Sequence, residues 1–157
     1  MHDRIRQGTR AQHERVDAAY AGYDLSTRPD YIQFLQAHRK ALWRLEPSWR
    51  PVDRAEFTDL AANLDADLDE LSARPARPEA VACLDGLAVA YVMRGSRLGG
   101  AILRRRIGRG LPGRYMHLPM TLSWPEFTRQ LDQVSLDDAI IADARAAFAA
   151  FLPTDDR

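Results

Sequence analysis

Three glycines, Gly95, Gly99 and Gly100, interrupt the apolar stretch "YVMRGSRLGG" running from Tyr91 to Gly100. Each interior glycine costs a helix about 1 kcal/mol relative to alanine. Gly95 and Gly99 are four residues apart and share a face, with Gly100 beside them. Together they form a strip of bare backbone about one turn long. Such a strip lets a neighbouring helix pack closely, lets the helix bend, or lets a flat ligand lie across it. Spacing alone does not choose among these.

A second set of residues lies near the N-terminus, in "TRAQHERVD". His13 is followed four residues later by Asp17, which on a helix shares its face and can hold one ring nitrogen while the other meets a metal. Arg6, two turns earlier, adds a cation for an acidic group. A cation, an imidazole and a carboxylate on one face suit a ligand carrying both a metal and acidic substituents. His38 sits in an apolar helical face without a carboxylate at helical spacing, and reads as a core or pocket-edge residue. His2 and His117 have nothing around them in sequence that singles them out.

The remaining signals are weaker. The acids of "DADLDE", Asp65 to Glu70, fan away from the leucines and read as a solvated face. "RRRIGRGLPGR" lacks interleaved aromatics, and Lys and Arg together number 22 against 22 Asp and Glu, so no nucleic-acid partner is expected. Cys83 is the single cysteine and reads as a small core residue in a reducing compartment. No apolar run is long enough to span a membrane, and the N-terminus has no hydrophobic signal core, which points to the cytoplasm.

These residues must be positioned by helices, because periods of three and four dominate the chain. Helices are expected over about 2–20 (Ile5, Thr9, Gln12, His13, Val16, Tyr20), over Tyr31 to Leu45, over Phe57 to Leu71, and from about Glu79 to Ile107. Two more follow, marked by Trp124, Phe127, Leu131 and Val134, and by Leu136, Ile140, Ala144, Phe148 and Phe151. Strand alternation, repeats and low-complexity tracts do not stand out. The expectation is an all-α protein with one domain over residues 1–157.

"TRAQHERVD", followed some eighty residues later by "YVMRGSRLGG" and then by "WPEF" opening a late helix, resembles the heme oxygenase family. The likeness is to its bacterial, biliverdin-producing branch associated with bacteriophytochromes. It implies a single-domain helical bundle in which heme lies between a proximal helix and a glycine-kinked distal helix. By that resemblance His13 is the iron ligand, Asp17 its acidic partner, and Arg6 a propionate contact, with Arg129 a looser second one. Gly95, Ser96, Gly99 and Gly100 are the distal, catalytic stretch. The implied reaction opens heme to biliverdin and releases iron and carbon monoxide. It uses dioxygen and electrons from an external reductase or ferredoxin, and a bacteriophytochrome is a candidate recipient of the product. Two departures stand out. Ser96 occupies a position where studied members carry an aspartate, leaving the proton-delivery residue unassigned, and Arg94 stands where an acidic or apolar residue is expected. The alternatives are a non-catalytic heme-binding or heme-sensing protein on the same fold, and a helical interaction module in which His13 is core and the glycines pack a helix.

Overall fold

The computed structural model describes residues 2–153, and they fold almost wholly into helix. In chain order these are α1 (His2–Tyr20), α2 (Arg28–Leu45), α3 (Pro51–Glu70), α4 (Gly86–Leu103), α5 (Arg114–His117), α6 (Trp124–Asp132) and α7 (Asp138–Ala150). Short 3-10 turns follow α2 and α4. No strand occurs among the described residues, and none of their helices is long and apolar enough to cross a membrane.

Local signals account for the boundaries. Prolines open α2, α3 and α6, where a missing N–H is harmless. Ser123 and Glu126 form a reciprocal capping box at the start of α6. α4 begins at Gly86 rather than near Glu79, because the Asp85 carboxylate accepts hydrogen bonds from the amides of Leu87 and Ala88 and so starts the helix there. The segment before it, with Pro75 and Pro78, runs as irregular chain. α5 is an additional four-residue helix inside a stretch expected to be loop.

α5 also corrects the reading of the acidic cluster. Asp67 is fully buried, because α5 folds back over α3 and the Asp67 carboxylate accepts from the backbone amides of Arg114 (3.2 Å) and Tyr115 (2.9 Å). It therefore supplies the acceptor that the first turn of so short a helix lacks. Asp65 is also largely buried, 2.6 Å from Arg39 Nε, and only Asp69 and Glu70 behave as a solvated face. Cys83 is exposed, not core, since it falls in the irregular segment outside α4.

α7 is the element on which the site is built. Its buried face is mostly alanine (Ala144, Ala147 and Ala150), with Ile141 and Phe148. Small side chains let neighbouring axes come close. α1, α2 and α4 all pack against it, whereas α1 and α4 barely touch each other. Gly8 makes the α1 contact possible: a Cβ there would lie 2.6 Å from Ile141 Cγ2, an overlap. Arg145 Nε then donates to the Gly8 carbonyl at 2.7 Å. Two helices are thus held side by side on a common support with a gap between them.

Candidate functional site

That gap is a cavity of about 1050 Å³. Its size is at the upper end of the roughly 300–1,000 Å³ common for ligand sites, so it suits a large ligand. One wall is α1 from His2 to Tyr20, including Arg6, Arg10, His13 and Asp17. The opposite wall is α4, with Tyr91, Val92, Gly95, Ser96 and Gly99. Phe34, Phe148 and Phe151 contribute apolar surface, and Trp124 comes from α6.

The structure therefore brings together the two sequence motifs that lie some eighty residues apart. His13 Nδ1 lies 3.2 Å from Asp17 Oδ2, the pairing expected from their spacing, and leaves Nε2 free. The His13 ring stands edge-on to Phe148 of α7, with centroids 5.8 Å apart, which limits its rotation. Its side chain is 61% exposed, so His13 is not a core histidine. Arg6 makes no ion pair among the described residues and is available to an anionic group. Arg10, not singled out in the sequence, shares the wall but is tied to Glu14 at 2.8 Å.

The glycines divide by role. A Cβ at Gly99 would meet nothing within 4 Å, and one at Gly95 would make only an ordinary contact with Trp124 at 3.5 Å. Neither is required by packing within the chain. Gly8 shows what a packing glycine looks like here, and Gly95 and Gly99 are unlike it. Gly100 does not line the cavity; its missing side chain faces Met116 Cε at 3.8 Å. Helical structure runs unbroken through all three.

Two further expected residues behave differently from the expectation. Ser96 lines the cavity, but its hydroxyl donates to the Met93 carbonyl one turn back at 2.7 Å, so its proton is already engaged. Arg129 is exposed on α6 beside Glu126 and is not part of the cavity wall. Phe127 and Leu131 form the buried face of α6, and Arg129 lies on the face left in solvent.

The cavity also recruits His2 and Tyr20, to which no role was assigned from sequence, and His38, read there as core or pocket edge. His2 packs edge-on to Trp124 (5.7 Å) and Tyr91 (6.2 Å) at the end nearest Arg6. At the other end, Tyr20 donates to the Phe151 carbonyl at 2.5 Å, and burial pushes its phenol up, well out of the titrating range. His38 stands beside it, half-buried at the cavity edge, with Nδ1 2.8 Å from Tyr115 Oη. Burial, with the nearby Arg97 cation, lowers the His38 imidazole to about 3, so it is neutral near pH 7. Among the described residues no three His, Cys, Asp or Glu side chains converge as a metal cage.

Compared with known protein families and with curated proteins, the sequence matches none.

Proposed function

We propose that this chain binds heme in the slot between α1 and α4 and opens its ring to biliverdin, releasing iron and carbon monoxide, as heme oxygenases do. The observation that carries this reading is the position of Gly95 and Gly99. Both face a large, mainly apolar cavity across from an imidazole, and neither is needed for packing. The donor set fits the group: the His13 imidazole, which with His2 and His38 is one of three lining the cavity, an arginine without an ion pair for a carboxylate, and apolar walls for a planar macrocycle.

Heme is both substrate and the source of dioxygen chemistry, with electrons supplied from outside by a reductase or ferredoxin. The chain's contribution is placement. His13 Nε2 would hold the iron, with the Asp17 carboxylate beside Nδ1 orienting the ring. Arg6 meets a propionate. Gly95 and Gly99 leave room for the distal face and allow α4 to bend there as ligand enters, giving the kinked distal helix of the family. Phe34, Phe148 and Phe151 exclude water. Biliverdin leaving this site would suit a chromophore-requiring receptor of the bacteriophytochrome kind.

Anaerobic hemin titration, followed by reductant and oxygen, tests the proposal. A Soret band that gives way to biliverdin absorbance is expected, and protein that takes up no hemin would overturn the reading. Gly99→Ala sharpens the test. With open space at that position the new methyl group should raise apo stability by up to about 1 kcal/mol. The same methyl should slow turnover and weaken hemin uptake. A fall in apo stability would return the glycine to a packing role. The engaged hydroxyl of Ser96 favours a second reading, a heme-binding or heme-sensing protein without catalysis. In that case hemin binds and survives reductant and oxygen intact.

A further inference from the structure

His38 is one of the cavity-lining polar side chains that the roles above leave without a task. We infer that His38, locked by Tyr115, points an Nε2–H into the slot and donates a hydrogen bond to a water or small ligand held there. It thereby offers the slot a donor, where the hydroxyl of Ser96 is already engaged. The inference rests on the heme reading of the cavity.

The tautomer follows from counting donors. Nδ1 of His38 and Oη of Tyr115 are 2.8 Å apart, and one proton lies between them. Arg97 places its guanidinium 4.8 Å over the Tyr115 ring. Arginine has no acceptor. Among the described residues the Tyr115 phenol proton therefore has His38 Nδ1 as its acceptor, and we place it there. Burial raises the Tyr115 phenol, which keeps that proton in place. With Nδ1 accepting and the ring neutral, the remaining proton of His38 must be on Nε2.

Nε2 has no hydrogen-bond partner among the described residues, yet it is not a sealed, orphaned polar atom. The half-buried ring lines the cavity, so its accessible edge opens there. Its neighbours Tyr20, Phe34 and Phe151 are aromatic: the Phe34 and Phe151 centroids lie 4.3 Å and 5.4 Å away. The unpaired arginine, Arg6, is near the opposite end, about four turns along α1 from Tyr20. An amphipathic macrocycle would send its carboxylates toward Arg6. The uncharged donor at His38 is then left for neutral or weakly polar occupants. Tyr115 itself is held from below, because its backbone amide donates to the buried Asp67 at 2.9 Å. Arg97 also donates to the carbonyls of Tyr115 (2.7 Å) and Leu118 (2.8 Å). The imidazole is thus aimed by a chain of fixed contacts that starts in α3 and α4.

Two measurements test this. In the heme-free protein, nitrogen NMR of the His38 ring should show the proton on Nε2 and no charging between about pH 5 and 8; Tyr115→Phe should erase the tautomer preference. A proton found on Nδ1 in the wild type would overturn the inference without touching the heme reading. In the reduced, heme-loaded protein, bound carbon monoxide reports a nearby donor through its infrared stretch. His38→Leu should move the stretch to higher wavenumber and His38→Gln should restore part of the shift. Hemin binding with identical stretches in wild type and His38→Leu sinks this inference alone. Wild-type protein that takes up no hemin sinks the heme reading and this inference with it. Should His38→Leu fail to fold, Tyr115→Phe carries the infrared test, with a broadened or raised stretch expected and an unchanged one counting against the inference.

Discussion

Replacing His13 by alanine should leave the apo fold as stable as the wild type and remove tight hemin binding. The side chain is 61% exposed, and its contacts are Asp17 and the edge of Phe148, so little packing is lost. What disappears is the imidazole that Nε2 presents to the slot. A loss of about a hundredfold in hemin affinity, equivalent to about 2.7 kcal/mol, is the expected scale. The Soret band should lose its histidine-ligated form, and added imidazole should restore it. Asp17→Asn separates orientation from ligation, with a smaller loss of about tenfold. Unchanged spectra in both variants would dismiss α1 as the ligand-bearing wall.

The second large effect concerns Arg94, and it falls on stability. Arg94 is buried, with Nη2 2.7 Å from Asp53 and Nη1 2.6 Å from Glu56, while its guanidinium lies over Phe57 and Phe127. Glu56 in turn accepts from the amide and hydroxyl of Thr121, and Asp53 is paired with Arg50. One side chain thus ties α4 to α3 and to the loop leading into α6. Arg94→Met leaves Asp53 with Arg50 as its remaining cation and Glu56 with only the Thr121 donors, and should cost about 3 kcal/mol. For a chain of this size that lowers Tm by roughly 10 °C. Because Arg94 does not line the cavity, the folded fraction should still bind hemin with near wild-type affinity. A loss under about 1 kcal/mol would mean that the pair merely balances its own desolvation.

The same cluster predicts a direction for pH. Burial alone would raise the Glu56 carboxyl, but hydrogen bonds from Thr121 and Arg94 outweigh it and hold the group below its ordinary range. A carboxyl depressed by folding stabilises the native state above its unfolded pKa. That contribution is lost as pH falls through the acid range. Arg94→Met should flatten this part of the acid unfolding curve.

Arg94 also shows what sequence could and could not convey. In the sequence it was an oddity, a cation inside an apolar stretch, and its reason lies in Asp53 and Glu56, some forty residues away. No local period reports such a pairing. The helices that carry the site were legible because their apolar residues recur at helical spacing, and the His13–Asp17 contact was legible because both ends lie on one turn. The role of Asp67 was not, since an acid among acids looks solvated until α5 folds over it. Arg129 was placed by analogy of position and stands outside the cavity, because the apolar face of α6 decides which way it points. Gly8 passed unnoticed among polar neighbours, although it is the glycine on which close helix packing depends. His38 was read as a core or pocket-edge residue, but its partner Tyr115 comes from a short segment, α5, in which no helix was expected.

The way α1 and α4 are hung has a kinetic corollary. Each leans on the alanine face of α7 and neither grips the other, so parting them breaks few native contacts. Admission of a bulky guest then requires only a modest swing about that shared seam. Amide exchange along α1 should accordingly be faster than in the α2–α3 pair, and a guest bridging the two walls should slow it.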